Sequence, residues 1–469
     1  MTVGEKTPNK TNKTILLVGE TGAGKSQLVN VLLNYSMGVK WEDEVWFQII
    51  EDEKKSQAES QTSDVIVYEI FGFEDETLPY SLTIIDTPGY EIGRERKHDE
   101  IISSKILDLF QSDDEVHEVH EVHAVGLVMK ASDNRLNDRL LYNLNSVMSL
   151  FGNDLEKNIV ALPTHSDGRI PKNPLKALEA ANIKCAKNEK NQPVYFLFNN
   201  CQHEERTEEE ELMKRANEIS EKGMREFTAF LENIVPQNLQ KTKNVLTDRI
   251  SLTVCIQNLK ERIKLTEQKQ TEITQIKEAL KKHEEEMKKN EEFTVEVDEV
   301  YKVKEDIDAG SRFFVFYNGA TCCKVCEENC HYPGCTKALK PEHCEVMKKG
   351  RCTVCTNKCP VSDHVKEGWK YVTKTRKVQK TMEDLLEKYE ENKSESDKKL
   401  SLLGNLEKEM KELTGAKSQF LDESYQHVVS LEQIALKADS ASTIVHLDFL
   451  IEKMKEEGDT EKVDKLEEI

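Results

Sequence analysis

Residues 19–26 read Gly-Glu-Thr-Gly-Ala-Gly-Lys-Ser, and this octapeptide limits what the chain can fold into more than any other stretch. It follows the apolar run Thr14–Gly19 and opens the helical pattern Lys25–Tyr35, so it occupies a strand-to-helix turn. The glycines let successive backbone N–H groups turn toward one anion, and the helix N-terminus adds partial positive charge. Gly19, Glu20, Thr21, Gly22, Ala23 and Gly24, with Gln27 just beyond, form the candidate phosphate cradle. In such a loop the lysine, here Lys25, reaches the β- and γ-phosphates, and the hydroxyl, here Ser26, ligates Mg2+.

Short apolar runs alternate with helical patterns from Thr14 to about Pro236. Val65–Phe71, Ser81–Asp86, Ala124–Lys130, Asn158–Pro163 and Pro193–Phe198 read as further strands; Arg135–Phe151, Pro174–Ala181 and Thr207–Ile234 read as helices. Alternation of this kind predicts an α/β domain with a mostly parallel sheet covered on both faces, assigned to residues 14–238. A second phosphate-side element is expected on a neighbouring strand. Ile84-Ile85-Asp86-Thr87-Pro88-Gly89 supplies it, with Asp86 near the Mg2+ shell and the Gly89 amide near the γ-phosphate. A threonine that senses magnesium should precede the second strand. Thr62 is the choice, with Ser63 and Ser60 as alternatives, and Lys25 and Thr62 are the candidate catalytic groups.

Base selection calls for a carboxylate after a later strand. Thr164-His165-Ser166-Asp167 follows the run NIVALP, with Thr and His where Asn and Lys are usual and Asp167 at the right offset. Asn199 and Asn200, after VYFLF, are the companion contacts. Together these motifs resemble the translation-factor-related P-loop GTPases, and within them the septins and the immunity-associated (AIG-like) GTPases. The resemblance covers residues 14–235. It implies GTP or GDP with Mg2+ as ligands, contacts from Lys25, Ser26, Thr62, Asp86, Gly89 and Asp167, and homodimers or polymers built across the nucleotide face. The remainder is similar to extensions of fish proteins that carry a septin-type G domain. Two departures bear on turnover. Tyr90 follows Gly89 where a glutamine orients water in fast GTPases, and the next residues read EIGRERK. Slow hydrolysis is expected, with an arginine supplied across a dimer as one way to speed it. The alternatives are a nucleotide-stabilised scaffold without useful turnover and an ATP-using P-loop protein.

Nine of the twelve cysteines lie between Cys322 and Cys359. Cys323-x2-Cys326-x3-Cys330-x4-Cys335 and Cys352-x2-Cys355-x3-Cys359-x4-His364 share one spacing, as an internal duplication would. Two tetrahedral structural zinc sites are predicted, one set per run, although cross-bracing between the runs is equally allowed. Cys322, His331, His343 and Cys344 are spare donors. Phe293–Val297, Arg312–Tyr317 and Trp369–Thr375 suggest a small sheet around them, in a module at 291–380. The module is flanked by helical patterns at 239–290 and 381–438, read as coiled-coil arms of an antiparallel hairpin with the module at its tip. The first has one good stripe (Val245, Leu252, Leu259, Thr266, Ile273, Leu280, Met287) and a second that fades at Gln270, Lys277 and Glu284. Residues 1–13 read as a disordered arm and 439–469 as a helical tail broken at Gly458.

Charged residues make up 33% of the 469-residue chain and apolar ones 37%, which fits a globular core with long solvated helices better than one globule. The net charge of −21 argues against wholesale nucleic-acid wrapping. A basic stretch at 336–381, twelve Lys/Arg against four Asp/Glu, is read mainly as a face toward the acidic helices. No apolar run approaches a membrane span, and the N-terminal residues lack a signal-type core, so a cytoplasmic protein is expected. The EVH triplets of 115–123 are read as a tandem repeat and not a metal site.

Overall fold

The run NKTILLVG becomes strand β2 because its five central residues, Ile15 among them, are buried on both faces, as a central parallel strand requires. The computed structural model describes residues 1–6, 10–43, 45–50, 65–72, 78–89, 105–110, 119–132, 138–200, 210–282, 294–307, 319–332, 335, 340–381, 384, 395–437 and 441–469. The chain divides into two compact units: residues 1–248 with 430–445 and 469, and residues 249–429 with 446–468.

The first unit is built on a six-stranded sheet. Its strands are β1 (Thr2–Gly4), β2 (Asn12–Gly19), β3 (Ile66–Gly72), β4 (Ser81–Asp86), β6 (Ala124–Lys130) and β7 (Ile159–Thr164), in the order β1-β3-β4-β2-β6-β7. The pair β3–β4 is antiparallel and the other neighbours run parallel. A two-residue pair, β5 (Glu121–Val122) with β8 (Gln237–Asn238), lies outside it. Helices Lys25–Ser36 and Glu210–Asn233 contribute Leu28, Leu32, Phe227 and Leu231 to the core against Ile15, Ile84 and Leu162. Two expectations need correction. Thr2–Gly4 is an edge strand held beside β3, with the Met1 amine 2.8 Å from Val67 O, where a disordered arm was predicted. Pro193–Phe198 makes isolated bridges, Tyr195 with Ala161 and Pro193 with Lys187, and no strand, although Ala161 N donates to Val194 O and Phe196 N to Ala161 O. The next rung would need an N–H from Pro163, which has none.

The long helix Gln240–Lys282 begins in this unit, with Val245 and Leu246 fully buried and Thr242 Oγ1 accepting from Gly152 N. The end of helix Glu395–Ile434 joins it as well: Ala435 bridges Gly152, and Leu436 N donates to Phe151 O. The unit boundaries thus fall inside both helices.

In the second unit these helices run antiparallel, with Lys277 paired to Glu407 at 3.1 Å and Lys269 to Glu409 at 3.7 Å. The fading stripe has a physical cause. Around Ile273 and Ile276 the apolar partners include Val295 and Val297 of a β-ribbon together with Met410, so a helix–helix seam is not needed there. The ribbon is β9 (Thr294–Asp306) against β15 (Trp369–Thr381), thirteen residues on each strand in antiparallel register. Between its strands lie β10 (Ala320–Cys323), β11 (Glu328–His331), β12 (Met347–Lys348), β13 (Arg351–Cys352) and β14 (His364–Glu367), with sheet order β11-β10-β14 and a β12–β13 hairpin. The predicted strand Arg312–Tyr317 lies outside the described residues. The Cys-rich module is not at a hairpin tip. It lies beside the middle of the arm, where Glu261 accepts from Asn329 at 3.1 Å, Arg262 contacts Glu328 and Thr356, and Lys358 pairs with Glu423. Helices Ala441–Glu457 and Thr460–Glu467 form the tail, separated by Gly458 at φ 78°. Among the described residues no helix is long and apolar enough to cross a membrane.

Candidate functional site

The sheet delivers the phosphate loop and its partner strand to one place. β2 and β4 are hydrogen-bonded parallel neighbours, with Leu17 opposite Asp86. The loop that leaves β2 therefore meets the loop that leaves β4. Gly22 and Gly24 take φ values of 76° and 86°, in the left-handed region where a side chain is strained. They turn the chain into the helix that starts at Lys25.

Lys25 is buried, and its Nζ donates to Gly19 O at 3.1 Å and Glu20 O at 2.9 Å. Burial lowers the pKa of this ammonium, and the charges of Asp86 and Glu20 work against that shift. Ser26 Oγ donates to Asp86 Oδ2 at 2.9 Å, so the two candidate Mg2+ groups are already side by side. Thr87 Oγ1 donates to Leu17 O at 2.8 Å and fixes the end of β4 against β2. Gly89 sits so close to the loop that a Cβ there would fall 2.5 Å from Thr21 N. Behind Asp86, burial and the carboxylate push the Tyr68 phenol up to about 12.

The predicted base readers converge on the far side of the same loop. Thr164 Oγ1 donates to Ala23 O at 2.6 Å, and Asn200 Nδ2 donates to Gly24 O at 3.2 Å. His165 has φ 52° and keeps Nδ1 within 3.1 Å of Thr164 Oγ1. Asn199 Nδ2 donates to Ser166 O at 3.0 Å, and its backbone is clamped by Ser220. Asp167 is solvent-exposed on this loop; its Oδ1 accepts from Arg169 N at 3.0 Å in a local turn. The structure brings together Lys25, Ser26, Asp86, Gly89, Thr164 and Asn200. Thr62, Tyr90, Arg94 and Arg96 lie outside the described residues.

Residues 13–227 match the AIG1 family. This stretch is an AIG1-family P-loop GTPase domain, and the chain is a GTP-binding protein of the GTP-hydrolase class. No curated protein matches the chain. Among solved structures, Toc33 from Arabidopsis thaliana in complex with Mg2+ and GMPPNP is 15% identical, covering 48% of this chain and 86% of that one at a TM-score of 0.30. The elongation factor SelB from Methanococcus maripaludis with GppNHp is 12% identical, covering 49% and 36% at 0.26. The bacterial dynamin GTPase LeoA from ETEC is 16% identical, covering 59% and 46% at 0.28.

Outside the AIG1-family domain, the cysteines regroup in a way their spacing left open. Cys323, Cys326, Cys355 and Cys359 form one set, and Cys330, Cys352, Cys355 and His364 a second. Each set mixes the two runs, so the pairing of one set per run is corrected. Strand β10 lies between β11 and β14 and places Cys323 opposite His364, which crosses the two runs. All eleven described cysteines are free thiols. Cys326 Sγ and Cys359 Sγ stand 3.7 Å apart, close to the edge of about 3.8 Å for two sulfurs on one tetrahedral ion. Backbone N–H groups of Cys326, Cys355 and Cys359 donate to Cys323, Cys352 and Cys355 sulfurs at 3.2–3.3 Å, which favours thiolates. His364 Nδ1 lies 2.9 Å from Pro360 O, while its buried Nε2 has no hydrogen-bond partner among the described residues. A ligating imidazole has this arrangement: one nitrogen on a carbonyl, the other turned to the ion. Cys335 belongs to neither set. Cys322, a spare donor in the sequence, packs with Ala320 and Tyr371.

Proposed function

We propose that the chain is a slow GTPase whose nucleotide state controls self-association, and that its helical arm and zinc-held module contact partners. The observation that carries this reading is the 2.9 Å contact of Ser26 with Asp86 at the mouth of the loop, with Gly89 against Thr21. Ser26 and Asp86 would hold Mg2+, joined by Thr62 on the sequence pattern. When bound, that ion neutralises charge on the β- and γ-phosphate oxygens. Lys25 neutralises the same oxygens, and Thr21 and Gly89 offer backbone N–H groups. Asp167 accepts from guanine N1 and its amine, with Asn199 and Asn200 bracing the base. Self-association across the nucleotide face is supported by the septin-like and immunity-GTPase-like motifs. In the module, the two mixed ligand sets would hold structural zinc.

The test is nucleotide identification on the purified full chain together with a sizing measurement with and without a GTP analogue. GTP or GDP should be retained by wild type and lost in Lys25→Ala, and the analogue should raise the apparent mass. Equal indifference of both proteins to guanine and adenine nucleotides with magnesium would overturn the reading. A scaffold without turnover is the second reading, favoured by Tyr90 in place of a glutamine. Single-turnover hydrolysis at rising protein concentration separates the two, because the scaffold gives no rate at any concentration. Competition of GTP against ATP tests base choice.

A further inference from the structure

A third buried donor set lies apart from the two already described. His331 ends β11, Cys335 follows four residues later, and Cys344 and Glu345 come just after the turn Pro341–His343. The four donor atoms lie within 4.8 Å of one another. His331 Nδ1 is 3.3 Å from Cys344 Sγ and 3.0 Å from Glu345 Oε2, and the two sulfurs are 3.6 Å apart. Ligand lengths of about 2.0–2.3 Å around a tetrahedral zinc ion put its donors roughly 3.3–3.8 Å from one another. The sulfur separation fits two thiolates on one ion and far exceeds the ~2.05 Å of a disulfide.

Burial strengthens the case. The side chains of His331 and Glu345 are 4% and 7% exposed. Two thiols, an imidazole and a carboxylate are an expensive group to enclose unless something positive binds them. The surroundings supply outer contacts of the kind that hold metal ligands in place: Thr321 Oγ1 lies 3.3 Å from Cys335 Sγ, and the buried Lys366 ammonium donates to Cys335 O. Two thiolates and a carboxylate on a dication leave one negative charge, and Lys366 is the cation beside it.

We propose that His331, Cys335, Cys344 and Glu345 bind a third zinc ion, so that the module holds three ions per chain. This ion ties the end of β11 to the 341–345 turn, a connection the two mixed sets do not make. The inference does not depend on the nucleotide reading. It adds to the two-zinc reading of the module.

Zinc per full-length chain, measured by elemental analysis after exhaustive dialysis, tests it. Wild type should return three ions, and C335S/C344S two. Because that double variant risks misfolding, Glu345→Gln serves as the gentler one; it should release one ion of three at a chelator concentration roughly tenfold or more below wild type. Cobalt substitution of wild type should give thiolate-to-cobalt bands whose intensity falls by a step in C335S/C344S. Two ions in wild type, with neither variant changing the count or the release, would overturn the third site and leave the two mixed sets standing. One ion or none would overturn both.

Discussion

Asp167 is the residue on which base choice turns. It is exposed, and among the described residues it bonds to Arg169 of its own turn, so replacing it disturbs little besides the ligand. Asp167→Asn removes a carboxylate acceptor that guanine N1 and its amine would share. The expected loss in GTP affinity is about 1.5–3 kcal/mol, roughly 10- to 150-fold, and a xanthine nucleotide should gain. Competition binding of GTP, XTP and ATP to both proteins measures this; an unchanged order would remove Asp167 from the site. His123, in the EVH repeat, has a structural role. Its Nδ1 accepts from Thr14 N at 3.1 Å, and burial, helped by Lys13, lowers its pKa to about 4. The unfolded imidazole titrates near 6.5, so the unfolded chain binds more protons between those values. Stability from this residue is complete above about pH 6.5 and is lost as pH falls toward 4, by about 1–3 kcal/mol. Urea midpoints at pH 7 and pH 5 should differ more in wild type than in His123→Gln.

At the scale of the element, Gly223 shows how packing overrides local preference. A Cβ on this helical residue would collide with the Leu197 carbonyl. Helix propensity favours Gly223→Ala by about 1 kcal/mol, yet the collision should make it destabilising by about 1–3 kcal/mol, read in denaturant melts. A stabilised variant would show that helix Glu210–Asn233 does not sit as described. Local signals of this strength explain what could be read in advance. β2, β4, β6 and β7 and the helix at Lys25 fell where apolar runs and the glycine loop put them, because each is fixed by contiguous residues. That Lys25, Ser26 and Asp86 meet at one loop was legible for the same reason. The Pro193–Phe198 strand failed on one missing N–H at Pro163. The ligand sets were legible in part: spacing names the donors and leaves cross-bracing open, and β10 between β11 and β14 decides which donors meet. His331 and Cys344 stood among the spare donors, and the x3 gap from His331 to Cys335 matches Cys355 to Cys359, whereas Glu345 left no trace.

The whole molecule combines two units with different sources of stability. The first buries a continuous apolar core around β2. The module of the second has small apolar clusters and many polar ties: Lys380 with Glu272 and Glu299, Arg376 with Glu299, Lys377 with Glu296. Much of the basic stretch is thus matched by nearby carboxylates. Structural zinc in small domains supplies an apparent ~10–16 kcal/mol, so a strong chelator should abolish amide-exchange protection over 320–367. Protection over 12–19 and 81–85 should persist, because no candidate zinc ligand lies there and an apolar core holds those strands. Exchange measured by mass spectrometry checks both halves, and an unmoved module would argue against metal as its support.

The sulfur of Cys355 belongs to both mixed sets. An atom that donates to two dications has less electron density left for a proton or an electrophile than one serving a single ion. Chemical attack on the module should therefore begin elsewhere. Cys326 is the one described cysteine that is not fully buried, which makes it the entry point for oxidants and alkylating agents. Damage there would leave the shared sulfur as the last to be released.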